Sequence, residues 1–178
     1  MSNIFVIPDV HLKPWIFEKA STLVDKGTYD AVVMLGDLVV NRIQDLKNSI
    51  PPENTSFIRK IDNVVFSHAG LTESFVIRHF GRAQTDLDSI ICRINRMGEA
   101  ELWQDDSPIW ARPQYGEMRM YPQNVFQVVG HTPVRTALEE GNLLTVDNFS
   151  TYRDGRPIGD ERFVWIDMVE KKWGFAEG

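Results

Sequence analysis

The sequence predicts an α/β fold built on a mixed β-sheet, and three observations carry that expectation. Short apolar runs rich in Val, Ile and Phe recur at strand length along the chain. A strand–helix–strand pattern fills the chain from Asn3 to Leu35, the signature of a βαβ unit with a right-handed crossover. Later strands lack long helices between them, so the second half is expected to be antiparallel or mixed.

Taken in order, the runs Asn3–Ile7, Ala31–Leu35, Asn63–Phe66 and Val125–Val129 read as buried strands. Weaker strands are expected at Leu143–Val146, Phe163–Ile166 and Lys172–Phe175. Pro14–Lys26 reads as a helix, with Pro14 in its first turn and Gly27 as its C-cap. Glu73–Phe80 reads as a second, with Thr72 as N-cap. Thr85–Met97 reads as a third, carrying Leu87, Ile90, Ile91 and Ile94 at helical spacing. Gln104–Gln123 is polar, Pro-containing and aromatic, and is expected to be a long surface loop, a kind more often functional than idle. Its Trp110, with Trp103, Trp165 and Trp173, reads as a core or loop anchor.

At 178 residues the chain is expected to be one domain over 1–178. Its net charge of −6 argues against a non-specific binder of nucleic-acid backbones, which needs a basic surface. Cys92 is the only cysteine, so no internal disulfide can form and a reducing compartment is expected. No apolar stretch approaches the ~20 residues of a membrane helix, and no signal pattern opens the chain. A cytoplasmic protein without a membrane partner is the expectation.

The chemistry is concentrated where strands end. The first strand runs into Pro8-Asp9-Val10-His11 and the second into Gly36-Asp37. The third runs into Ser67-His68-Ala69-Gly70 and the fourth into Gly130-His131-Thr132. Ligands of open α/β sheets gather beyond the carboxyl ends of the strands, and small residues there let the backbone turn and a ligand approach. A lone Asp or His after a strand is usually a turn or surface residue. Four such endings in succession point instead to a shared metal site. Its mixed nitrogen and oxygen donors suit Mn, Fe or Zn better than Ca or Mg.

In order and flanking residues these endings resemble the calcineurin-like metallophosphoesterases. Asp9–His11 is similar to the family's Asp-x-His, and Gly36-Asp37 to the start of its Gly-Asp motif. Ser67-His68-Ala69-Gly70-Leu71 and Gly130-His131-Thr132-Pro133 are similar to its two later histidine motifs. The Gly-His-Thr form resembles the branch of Ser/Thr phosphatases, bacteriophage-type phosphatases and symmetrical dinucleoside tetraphosphatases. The resemblance implies a four-layer αββα sandwich and a site for two divalent metals, Mn first, with Fe, Zn or Ni as alternatives. Asp9 and His11 would hold one metal, His68 and His131 the other, and Asp37 would bridge them. It further implies hydrolysis of phosphate esters by a metal-bound hydroxide, on a phosphorylated small molecule, nucleotide or phosphoprotein. Trp110-Ala111-Arg112 resembles the Trp-x-Arg segment of the phage-type branch, which makes Arg112 a phosphate-binding and catalytic candidate beside Asp37.

Two departures stand against full activity. The run Gly36-Asp37-Leu38-Val39-Val40-Asn41-Arg42 has Val40 where the family has a second Asp, and its arginine arrives one position late. Arg42 is therefore a displaced phosphate-binding candidate. No histidine lies between His11 and His68, so the family's Gly-Asn-His-Asp/Glu motif, source of a metal ligand and a leaving-group histidine, is missing. Asn48 and Asn54 are the loosely placed substitutes. The segment between the second and third strands is accordingly expected to be shortened. The alternative reading is an impaired or internally deleted relative that binds metal or a phosphorylated partner.

Overall fold

The computed structural model describes residues 3–10, 13, 15–36 and 54–177. Over these residues the chain forms two mixed sheets with helices, and it divides into two compact units. One unit comprises Met1–Thr55, Pro133–Leu138 and Val146–Gly178, and the other Ser56–Thr132 and Glu139–Thr145.

The sheet of the first unit has the order β2-β1-β8-β9. Its strands are β1 (Asn3–Ile7), β2 (Ala31–Met34), β8 (Val164–Asp167) and β9 (Lys172–Phe175). β1 and β2 are parallel, joined by helix α1 (Trp15–Lys26), as the apolar–helical–apolar pattern predicts. β8 and β9 are antiparallel additions on the far side of β1. Ile4 through Ile7 are all buried, so β1 is covered on both faces and reads as a continuous apolar run rather than an alternating one. Phe5 and Ile7 pack with Ile16, Ala20 and Leu23 of α1. Phe149 and Phe163 complete that core, their rings 4.7 Å apart. Gly27 N–H donates to the Leu23 carbonyl at 2.9 Å and closes α1 where a glycine is expected.

The sheet of the second unit has the order β3-β4-β5-β7-β6. Its strands are β3 (Ile58–Ile61), β4 (Val64–Ser67), β5 (Phe126–Val129), β6 (Leu138–Glu140) and β7 (Leu143–Thr145). β4, β5 and β7 run parallel, and β3 pairs antiparallel with β4. The second half is thus mixed, with three parallel neighbours at its centre. Helices α2 (Glu73–Phe80), α3 (Leu87–Ile94) and α4 (Glu99–Leu102) lie between β4 and β5 in the chain. Phe75, Val76, Ile90, Ile91, Ile94 and Leu102 from these helices form a core with Ile58, Val65 and Leu71. Thr72 caps α2, its hydroxyl accepting the Phe75 N–H at 3.3 Å.

Three expectations need correction. β3 and β6 were not legible as strands, because β3 carries Arg59 and Lys60 and β6 is exposed throughout. The helix expected over Thr85–Met97 is shorter, since Asp86 accepts the Asp88 N–H and starts it at Leu87. The stretch expected as a surface loop is partly internal: Ser107 and Ala111 are fully buried, and Pro113–Tyr115 forms a 3-10 turn.

Candidate metal centre

The pairing of β4 with β5 is what brings two histidines together. Ser67 sits opposite Val129 in a parallel register, so His68 and Gly130 leave the sheet side by side. The Gly130 N–H donates to the His68 carbonyl at 2.9 Å and carries the ladder one step beyond the strands. Between them the chain turns sharply. Gly70 has φ +108, a backbone conformation that favours glycine. The Ser67 hydroxyl accepts the Gly70 N–H at 3.0 Å inside that turn.

His131 itself has φ +61, a left-handed backbone that a residue with a Cβ adopts at a cost. Its ring comes to rest 4.6 Å from that of His68, centroid to centroid, with the planes inclined by 59°. Both histidines are half-buried. The structure therefore brings together the two imidazoles that the resemblance assigns to one metal.

The segment from Gln104 to Gln123 lies against the carboxyl ends of three adjacent strands. Past β4, the Ala69 N–H donates to the Pro108 carbonyl at 2.7 Å. Past β5, Arg112 Nη1 donates to the His131 carbonyl at 3.3 Å, and the Trp110 ring meets the His131 ring edge-on at 5.5 Å. At the end of β7, Gln114 Nε2 donates to Thr145 Oγ1 at 2.9 Å. Arg78 of α2 pairs with the carboxylate of Asp106, and Thr72 Oγ1 donates to the Asp106 carbonyl at 2.7 Å. Arg112 is half-buried and stands next to the histidine pair. Of the core or loop anchoring expected for them, Trp103 and Trp110 have no core role, being 69% and 38% exposed.

In the first unit, Asp9 follows β1 and is fully buried. A carboxylate in such a position needs hydrogen bonds, an opposite charge or a metal to offset its lost hydration. His11, Asp37 and Arg42 lie outside the described residues, as does Asn48. Asn54 is exposed. Among the described residues no three His, Cys, Asp or Glu side chains gather as a metal site. Of the candidate ligands, those described are the His68–His131 pair on one unit and the buried Asp9 on the other.

The remaining histidine behaves as a packing residue: His79 lies on α2 with its ring 4.4 Å from Phe75. Gln127 is a fully buried amide that sequence reading did not single out. Its Oε1 accepts the Leu71 N–H at 2.9 Å, and its Nε2 donates to the carbonyls of Leu71 at 3.1 Å and Tyr121 at 2.9 Å. It ties the His68 turn to the far end of the long segment, and a polar residue inside an apolar strand was its signal. A groove of about 310 Å³ in the first unit, with Lys19, Lys26 and Arg162 over Leu23 and Phe163, holds none of the candidate ligands.

No protein-family model matches the chain, and no curated protein sequence does. Among solved structures, the chain is similar to a cold-active protein tyrosine phosphatase, with a TM-score of 0.52 and 14% identity. That likeness covers 98% of this chain and 78% of the phosphatase. It is also similar to a conserved uncharacterized protein of Streptococcus pneumoniae TIGR4 described as a predicted phosphoesterase, with a TM-score of 0.41 and 18% identity. The second likeness covers 93% of this chain and 83% of that one. At such identity the first likeness is one of fold: an α/β architecture of two mixed sheets with helices. Among the described residues no helix is long and apolar enough to cross a membrane.

Proposed function

We propose that the protein is a metal-dependent phosphoesterase. The observation that carries this reading is the His68–His131 pair, rings 4.6 Å apart beyond two adjacent parallel strands, with Arg112 bonded to the same turn. Imidazoles at a strand-end turn, a buried Asp9, and the Asp9–His11 and Gly36-Asp37 endings make a donor set that fits Mn, Fe, Zn or Ni. The fold likeness to a structure named as a phosphatase is consistent with it.

Asp9, His11 and Asp37 would hold one metal, and Asp37, His68 and His131 a second. When bound, such a pair lowers the pKa of water and stabilises charge on phosphoryl oxygens. The rest falls to the chain. The left-handed His131 turn and the bond from Arg112 to its carbonyl hold the backbone from which the His131 imidazole projects. The Arg112 guanidinium is a planar donor fork suited to two phosphoryl oxygens, and Arg42 is a second candidate for that contact. Neither His79, packed on Phe75, nor another histidine among the described residues takes the place of the family's leaving-group histidine. Turnover is therefore expected to favour activated esters, since a missing general acid costs ~10²–10⁴-fold.

The missing motif also supports a second reading, a relative that binds metal without turning a substrate over. One experiment separates the two. Metal content and Mn²⁺-dependent hydrolysis of para-nitrophenyl phosphate are measured on the full chain and on Asp37→Asn. Bound metal with turnover that the variant abolishes is expected. Bound metal without turnover would move the assignment to the second reading, and a metal-free protein with no metal-dependent activity would overturn both.

A further inference from the structure

Tryptophan left on a surface is unspent apolar area, and two such rings in contact need an explanation. Trp103 is 69% exposed and meets Trp110 edge-on, ring centroids 4.9 Å apart. Trp110 meets His131 edge-on at 5.5 Å. The three rings form a continuous aromatic row that starts in solvent and ends on a candidate metal ligand. Two residues beyond Trp110, Arg112 bonds the His131 carbonyl, so a phosphate-binding fork and an aromatic surface stand on the same short segment.

The backbone beneath the row is fixed. The Trp103 N–H donates to the Glu99 carbonyl at 2.8 Å, and the Trp110 and Ala111 N–H groups donate to the Ser107 carbonyl at 3.0 and 2.9 Å. Ser107 is fully buried. The two indoles are therefore presented by a preformed turn rather than a segment that must order on binding, which lowers the entropic cost of using them.

We infer that Trp103 and Trp110 are specificity-determining residues that favour phosphoesters with a planar aromatic or heteroaromatic group over aliphatic ones. The inference rests on the phosphoesterase reading and deepens it. An aromatic leaving group whose phosphoryl oxygens meet Arg112 would lie along the exposed indoles. Stacking of a planar ring on tryptophan tolerates many ring structures, so the selection is by class and not by one ring.

The test compares phenyl phosphate with glycerol 2-phosphate on the Mn²⁺-loaded full chain, in the wild type, Trp103→Ala and Trp103→Phe. The phenyl-over-glycerol ratio of kcat/KM is expected to fall roughly tenfold in Trp103→Ala, through KM for the phenyl ester, and to recover in Trp103→Phe. An unchanged ratio overturns the inference even if both esters are hydrolysed. Where neither ester is hydrolysed, quenching of tryptophan fluorescence by phenylphosphonate against ethylphosphonate still decides, and the phosphoesterase reading itself fails only if para-nitrophenyl phosphate also resists hydrolysis. Saturable quenching by the phenyl compound, weakened in Trp103→Ala, supports the aromatic surface. No quenching, or a Trp103→Ala effect confined to oligomeric state, overturns it in favour of a protein-docking patch.

Discussion

Two sets of polar side chains follow strands in this protein, and they use their polarity in opposite ways. Beyond Val146, Asp147, Asn148 and Ser150 are buried and bonded within their own turn and its immediate neighbours. The Ser150 hydroxyl donates to Asp147, and Asn148 Nδ2 donates to Asp160 Oδ1 at 2.7 Å and the Arg162 carbonyl at 2.9 Å. Beyond β4 and β5, His68 and His131 are half-buried, set ring against ring, and held by a backbone that is strained at His131. The first set secures a turn. The second is positioned by its surroundings, its two rings set against each other at the ends of adjacent strands. A polar residue after a strand is thus uninformative until its partners are known.

The sharpest way to break this contrast is to exchange its costs. His131→Gly removes the imidazole while relieving the left-handed backbone, so thermal stability should hold or rise. Metal-dependent hydrolysis should fall by more than the ~10–100-fold typical of losing an outer-shell partner of a metal. Asn148→Ala should do the reverse. Asp160 Oδ1 and the Arg162 carbonyl lose a fully buried donor and a small void opens, a loss of about 2–3 kcal/mol in urea unfolding, with metal content kept. A destabilised His131→Gly that stays active would show that His131 is structural.

A smaller effect tests the amide between these extremes. Gln127→Leu keeps the apolar bulk of a fully buried position but leaves the Leu71 N–H without its 2.9 Å acceptor. The expected cost is about 1–3 kcal/mol, read by urea unfolding. Because Leu71 ends the His68 turn, metal affinity should weaken in the same variant. Lost stability with unchanged metal affinity would place Gln127 with the Asn148 set, as a residue that only holds the fold.

Much of the fold was legible, for reasons visible residue by residue. β1, β4 and β5 are buried on both faces and so read as apolar runs, broken in β5 only by Gln127. Thr72 and Gly27 announced helix ends because caps are local chemistry. β3 and β6 were not legible, because an edge strand rich in charge shows no burial signal; their existence depends on neighbours distant in sequence. At the site, the pairing of His68 with His131 could be expected from the family resemblance, and the parallel register of β4 and β5 is what makes those two strand ends neighbours. The Trp103–Trp110 contact could not, since exposure is decided by how the segment from Gln104 onward folds back on the strand ends.

The smallest expected effect sharpens the same distinction at a third strand end. Asp167 closes β8, and its carboxylate accepts the Glu170 N–H at 3.0 Å and the Val169 N–H at 2.9 Å in the turn to β9. The Glu170 backbone bond, foremost, holds its pKa below the ordinary aspartate value. A group depressed on folding contributes stability above its unfolded pKa, about 3.9, and loses it as the pH falls through the depressed folded value. Asp167→Asn keeps an acceptor for the turn but cannot titrate. The wild type should therefore lead the variant in Tm at pH 7 and lose that lead as the pH drops below about 4. Activity at neutral pH should be the same in both, because this acid, like Asp147, is bound to its own turn. A Tm difference that does not change between pH 7 and pH 3 would mean that the Asp167 charge has no part in holding the turn.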